Sequence, residues 1–301
     1  IGMDIGTGKG KIEKRNIDNT VIIQGIKHYL IDFLKPNDDF DLFQFQNTTF
    51  EIIDRILRKN KIPILVGGTG LYLDSVVYNY KFQKQKTDKK RRKELTNMRL
   101  NELQSLLKYK NPTIFNGLNK SDQKNPHRLI RSIERVESGR TKMKKGSPKY
   151  DYLYICLDIE KDTLIKKINK RTDIMFESGL LEENQKLRKL GYTTDLNSMK
   201  SIGYREFDKY FSQNQTLEET SKLIKLHTKQ YSKRQITWFR RNKEITWIPN
   251  PKDTFALISD FLICLRYTLF FKFLFCLSFL LFLKCHPIPS LWNSGYYNPN
   301  Y

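Results

Sequence analysis

The sequence predicts an α/β protein interrupted by a mostly helical insertion, and three observations predict it. Residues 46–77 read as helix, buried strand, glycine turn and helix, the order expected of a sheet covered by crossover helices. From Lys81 to about Gly146 the strand signals stop, and helical periodicity dense in Lys and Arg takes over. At Asp151 the strand pattern resumes with DYLYICLDI.

The elements follow in chain order. The opening IGMDIGTGKG brackets Thr-Gly-Lys with glycines, but it does not match GxxxxGK[ST], the phosphate-cradling pattern, and no such pattern occurs in the chain. In QNTTFEIIDRILRKN a capping box of Thr48 and Glu51 precedes Phe50, Ile53 and Leu57 at helical spacing, predicting a helix that ends near Asn60. Ile62 to Val66 reads as a buried strand. In the turn Gly67-Gly68-Thr69-Gly70, backbone amides and a hydroxyl point at the sheet's C-terminal edge, a favourable place for a phosphate or a base; a tight turn without ligand is the other reading. A long helix is expected from Asp162, broken near Gly179 and closed by Gly191. Another runs from Leu217 to Arg241 and leads into a last strand, ITWI, at Ile245 to Ile248. Beyond Phe255 the composition changes. Tyr267 to Leu283 is almost wholly apolar, interrupted by Lys272 and Ser278, and is close to the roughly 17 residues that a membrane span needs. An anchor, a buried hairpin and sequence foreign to the parent gene are all compatible with it.

Lys and Arg total 54 against 32 Asp and Glu, a net charge of +22 over 301 residues. Such a surplus favours a polyanionic partner, nucleic acid foremost, although a coding bias toward Lys, Asn and Phe produces it too. The four cysteines, Cys156, Cys264, Cys276 and Cys285, form no CxxC pair, and the four histidines are scattered, so a reduced protein without a zinc site is expected. No signal peptide is visible.

Arginines stand in unusual places. In DTLIKKINKRTDIM, Arg171 shares the apolar helix face of Leu164, Ile168 and Met175, and an inward arginine needs an anion. A carboxylate such as Glu134 would serve, and so would a substrate phosphate gripped in bidentate fashion. Arg128 and Arg131 in NPHRLIR and Arg205 in KSIGYRE extend this anion-collecting group, unless each is a surface salt bridge. In HTKQYSKRQITWFRR, Tyr231, Arg234 and Trp238 fall at i, i+3 and i+7. Cations and aromatics on one face suit stacking and phosphate contacts on RNA, with a core helix backed by solvated charge as the alternative.

Together the stretches GMDIGTGK, HYLID, LVGGTGLYL, NPHRLIRSIE, ESGLLEE, SIGYRE and TKQYSKRQITWFRR resemble the tRNA dimethylallyltransferases, or tRNA isopentenyltransferases, in the family's order from Gly2 to about Pro249. The resemblance implies a P-loop NTPase-like parallel sheet core with a helical insertion. It implies transfer of a dimethylallyl group from its diphosphate to N6 of an adenine, position 37, beside the anticodon of tRNAs reading codons that begin with U. Mg²⁺ as cofactor, the anticodon stem-loop and dimethylallyl diphosphate as partners, a monomer and a cytoplasmic location come with it. The organisation implied is a first part of the core over 1–83, a tRNA-contacting insertion over 84–147, a second part with a basic tRNA-binding helix over 148–250, and a tail over 251–301 that the family lacks.

Carried over residue by residue, Thr69 matches a threonine near the reacting amine and the scissile oxygen, and Arg128 and Arg171 match arginines of catalysis or diphosphate binding. Matching tRNA-contacting positions are Arg92, His127, Arg128, Leu129, Ile130 and Arg131, with Lys200, Ser201, Ile202, Gly203, Tyr204 and Arg205, and then Tyr231, Arg234 and Trp238. In the family, the phosphate-binding loop and the aspartate proposed as general base both precede GMDIGT. The expectation is therefore an N-terminally truncated enzyme with weak or absent turnover and no identifiable metal ligands; Asp4 and Asp32 occupy other motifs and do not replace that base. Two other readings stand beside it. An adenylate isopentenyltransferase would act on free nucleotides, for which the basic insertion and the Tyr231 to Trp238 face have no use, and a non-catalytic RNA-binding remnant would only bind.

Overall fold

The computed structural model describes residues 1–82, 88–139 and 144–275. The chain divides into two compact units, one made of 1–154 and 159–245, the other of 155–158 and the residues from 246 onward.

The first unit opens with the 2–10 loop and a small antiparallel sheet absent from the sequence expectation: β1 (Lys14–Arg15), β2 (Val21–Ile23) and β3 (Ile26–His28). Gln24 and Gly25 join β2 to β3 with φ of 51° and 71°, the two left-handed residues that a tight hairpin turn demands. α1 (Leu42–Leu57) begins earlier than predicted. Asp41 is its N-cap, and Asp41 and Gln44 bond each other's backbone amides at 2.9 Å, which makes this pair, rather than Thr48 and Glu51, the capping box. The Thr48–Glu51 pattern lies inside the helix, whose interior amides already have carbonyl partners. Gln46 is buried in α1, and its amide donates to the carbonyls of Ser75 (2.6 Å) and Tyr80 (3.0 Å), fastening α1 to α2 (Gly70–Val77).

The strand expected over Ile62–Val66 is not formed among the described residues. The segment is extended but unpaired, with Ile64 77 % and Val66 86 % exposed. An apolar run records that a segment suits burial; a ladder also needs a neighbouring backbone, and here none lies alongside.

The insertion is helical, as expected: α3 (Lys89–Asn97), α4 (Leu100–Lys110), α5 (Pro112–Asn116), α6 (Lys120–Gln123) and α7 (Pro126–Glu137). Asn111 and Asn125 cap α5 and α7, with a proline following at N1, a strong local start signal. Leu95, Leu103, Leu107, Leu129 and Ile133 are fully buried in a core of the insertion's own. Two ion pairs tie α3 to α7 across it: Arg92 holds Glu134 in bidentate fashion at 2.7 Å, and Arg91 holds Glu137.

α8 (Lys161–Glu177) and α9 (Leu180–Lys189) meet at Gly179, which has a φ of 96°, so the predicted break falls where only glycine is comfortable. After α10 (Asp208–Phe211) comes α11 (Leu217–Phe239), started by a Thr216–Glu219 capping box. Leu180, Phe207 and Ile224 form the core among α8, α9 and α11.

In the second unit, β4 (Ile155–Leu157) and β5 (Thr246–Ile248) pair in parallel, Ile155 opposite Thr246, and α12 (Thr254–Phe275) follows. No helix among the described residues is long and apolar enough to cross a membrane. The candidate span at 267–283 runs past them, since residues 276–283 lie outside the described residues.

Because the insertion has its own core, Leu107→Ala is expected to cost about 2–5 kcal/mol by cavity formation, read as a lowered urea midpoint.

Candidate active site

α11 lies directly on the Gly67–Gly70 turn. From one face of this helix, the Tyr231 hydroxyl meets Thr69 Oγ1 at 3.3 Å, the Gln235 amide donates to the Gly68 carbonyl at 2.9 Å, and Trp238 Nε1 donates to Asp74 Oδ2 at 2.8 Å. A Cβ at Gly68 would overlap the Gln235 amide, and one at Gly70 would overlap the Trp238 indole. Two glycines of the motif are thus explained by the approach of a helix. At Gly67, a Cβ would rest 3.5 Å from Leu73, an ordinary contact. Gln235 and Asp74 escaped the sequence reading; the signal that could have found Gln235 is its place at i+4 between Tyr231 at i and Trp238 at i+7.

Thr69 is the N-cap of α2, yet its side chain makes no capping bond, and among the described residues its exposed hydroxyl is shared with Tyr231. Beside it opens a cavity of about 190 Å³ lined by Phe45, Val66, Gly67, Gly68, Tyr72 and Leu73. The pocket is mostly hydrocarbon and aromatic, with polar turn atoms at one edge. Asp74, on the next turn of α2, is buried and also accepts a 3.3 Å bond from the Tyr154 hydroxyl. Burial pushes its carboxyl pKa up, opposed by the donors Trp238 and Tyr154 and by the charge of Lys145.

Arg171 departs from expectation in one respect. It is exposed rather than buried, because the 164–175 stripe of α8 is only partly covered, and Glu134, the carboxylate considered for it, is engaged by Arg92. Among the described residues no carboxylate pairs with Arg171; its guanidinium packs on Gly8, where a Cβ would collide with it. The 2–10 loop around Gly8 does not offer a phosphate cradle. The amides of Asp4, Ile5 and Gly6 donate to the Glu183 carboxylate at 2.8, 2.8 and 3.1 Å, and Lys9 is held by Asp4 (2.8 Å) and Asp32 (2.6 Å).

The remaining predicted residues divide by burial. His127, Arg128 and Arg131 are exposed on α7, with Arg128 paired to Asp122, while Leu129 and Ile130 are core, so the amphipathic period of α7 separates three outward residues from two inward ones. Arg92 is committed to Glu134. Lys200, Ser201 and Arg205 are exposed and Ile202 is partly buried, whereas Gly203 and Tyr204 are buried and cannot touch a ligand from the surface. Arg205 reaches Glu206, whose carboxylate also meets His227 Nδ1 at 2.6 Å. Arg234 is exposed, its guanidinium over the Tyr231 ring at 5.7 Å. Tyr231 and Trp238 carry the contacts to the turn, so that face is a helix-to-turn joint, with Trp238 still 36 % exposed.

A glycine turn with an exposed hydroxyl beside an apolar cavity, and a cation-bearing helix seated on that turn, is the layout of a ligand-binding site. More particularly, the chain belongs to the IPP transferase family, whose model matches residues 1–242. The tRNA dimethylallyltransferase of Acetivibrio thermocellus is 34 % identical over 282 residues, covering 89 % of this chain and 85 % of that one. The tRNA isopentenylpyrophosphate transferase of Bacillus halodurans has a TM-score of 0.59 at 31 % identity, over 87 % of this chain and 83 % of its own. A eukaryotic dimethylallyltransferase acting on tRNA, 23 % identical with a TM-score of 0.61 over 78 % of this chain and 60 % of its own, shares the fold.

Gly70→Ala must displace the Trp238 indole and is expected to cost about 1–3 kcal/mol in thermal unfolding, while Gly67→Ala stays within about 0.5 kcal/mol. For Asp74, a carboxyl whose pKa rises on folding contributes stability that is full below the unfolded pKa of about 3.9 and is lost as pH climbs through the folded value. Asp74→Asn keeps an oxygen for Trp238 without the charge, so its unfolding-temperature profile across that acid range is expected to be flatter than that of the native chain. Superimposable profiles would exclude Asp74 as the source.

Proposed function

We propose that this chain transfers the dimethylallyl group of dimethylallyl diphosphate to N6 of the adenine at position 37, beside the anticodon, in tRNAs reading codons that begin with U. The observation that carries the reading is the cavity beside Thr69, with aromatic and aliphatic walls and a hydroxyl edge. A dimethylallyl diphosphate has the same division, hydrocarbon at one end and anion at the other. The family and its named relatives support it.

In this reading the adenine leaves its stack to reach the pocket. Its exocyclic nitrogen attacks C1 of the allyl chain as the C1–O bond breaks, one proton passes from the nitrogen to solvent, and diphosphate departs with the bonding pair. Phe45, Tyr72 and Leu73 hold the hydrocarbon, the Thr69 hydroxyl orients the reacting edge, and Arg171, without a carboxylate partner among the described residues, takes the developing diphosphate charge. Asp4 and Asp32 do not take the proton, since Lys9 and Arg15 engage them. Mg²⁺, when bound with the diphosphate, would offset the charge of the leaving group; among the described residues no cluster of three His, Cys, Asp or Glu side chains is arranged to hold it. Arg128, Arg131, His127, Lys200, Arg205 and Arg234 are the exposed groups for the tRNA backbone. A monomer in the cytoplasm completes the reading.

Incubating the 301-residue chain with dimethylallyl diphosphate and an equimolar mixture of tRNA and AMP, followed by mass spectrometry of the nucleosides, is expected to put the prenyl group on tRNA alone, with the weak turnover that the sequence predicts. Arg171→Ala is expected to lower kcat/KM by about 10²–10³-fold with tRNA affinity kept. Prenylated AMP would transfer the reading to free nucleotides, and tRNA binding without prenylation would leave an RNA-binding protein only.

A further inference from the structure

The Glu183 carboxylate stands where an anion would sit in a phosphate-binding loop. It lies in the first turn of α9, half-buried, and accepts four bonds: the amides of Asp4, Ile5 and Gly6, and the Tyr204 hydroxyl at 2.7 Å. Three successive backbone amides form an anion-binding nest, and here the anion belongs to the chain itself. Charge-assisted bonds of this kind are about twice as strong as neutral ones. Tyr204 is fully buried beneath the loop; a Cβ at Gly6 would fall 2.6 Å from its ring, and one at Gly203 would fall 3.4 Å from the Gly6 Cα. Burial, and then the bond to Glu183, push the Tyr204 hydroxyl pKa far up, so it remains a donor throughout the working pH range.

What the nest holds in place is the approach to Gly8. The Gly8 amide donates to the Ile5 carbonyl at 2.9 Å and the Lys9 amide to the Asp4 carbonyl at 3.0 Å, so the residues bound by Glu183 also fix the turn that follows. Gly8, with a φ of 67°, is the residue on which the Arg171 guanidinium rests, closer than any side chain would permit.

We infer that Glu183 is a positioning residue: by filling the Asp4–Gly6 amide nest it holds Gly8 as the platform that aims Arg171 at the leaving diphosphate. This role rests on the diphosphate reading of Arg171 given above. It also accounts for a glycine-rich loop that resembles a phosphate binder and whose amides are taken by a carboxylate of the chain.

The test uses the 301-residue chain and inorganic pyrophosphate, titrated calorimetrically in a double-mutant cycle. Glu183→Ala is expected to weaken pyrophosphate binding by about 10–100-fold, the scale for loss of a supporting outer contact, and to have no further effect in an Arg171→Ala background. tRNA affinity, measured in parallel, is expected to stay unchanged. Tyr204→Phe removes one of the four bonds and is expected to act in the same direction by about 2–5-fold. Should the alanine variant not fold, Tyr204→Phe and Gly8→Ala, which forces the guanidinium off its platform, carry the same cycle. Unchanged binding in Glu183→Ala, or an equal loss with and without Arg171, would overturn the positioning role. Tighter binding would do so as well, since it would make Glu183 a competitor for the nest. If Arg171→Ala alone leaves pyrophosphate binding intact, the diphosphate reading of Arg171 falls and takes this inference with it, a result distinct from failure at Glu183 alone.

Discussion

The seating of α11 on the Gly67–Gly70 turn is the constraint on which the rest of the site depends. A helix can approach a backbone turn this closely only where no Cβ intervenes, and Gly68 and Gly70 supply that space under Gln235 and Trp238. The contact has consequences in both directions. It joins Thr69 to Tyr231 and Asp74 to Trp238, and the turn it covers also lines the apolar cavity.

The chain handles its own anions by the rules that govern bound ones. The Glu183 carboxylate takes the amide nest of the opening loop, Asp32 and Asp4 neutralise Lys9, and Glu134 takes Arg92. Among the described residues Arg171, like Arg131 and Arg234, has no carboxylate partner, so its guanidinium is open to a bound anion. In a chain with a net charge of +22, the arginines that matter for a bound anion are those that internal carboxylates leave open.

Much of the fold was legible because it rests on local chemistry. The Gly179 break and the helix from Leu217, both expected from the sequence, rest on one glycine's left-handed backbone and on the Thr216–Glu219 side chain to backbone bonds. Where local chemistry offered two equivalent solutions, sequence reasoning chose wrongly: Thr48–Glu51 has the form of a capping box, but Asp41–Gln44 claims the helix start two turns earlier. The extended Ile62–Val66 segment and the small β1–β3 sheet were misread for a related reason, since strand formation depends on a partner backbone that no single segment encodes. At the site, Thr69 and Arg171 were identified from their motifs, whereas Gln235, Asp74 and Glu183 were not, because each acts on a residue remote in the chain.

By itself the sequence determined the α/β class, the helical insertion and the family, since motif order and helical period are properties of one strand of chain read in order. Tertiary structure alone decided that Arg171 is exposed and rests on Gly8, that Tyr204 is core rather than a ligand contact, and that the Tyr231–Trp238 face closes on a turn. Each of these depends on which surfaces meet across more than a hundred residues, and periodicity records only that a face is apolar or charged, never what will cover it.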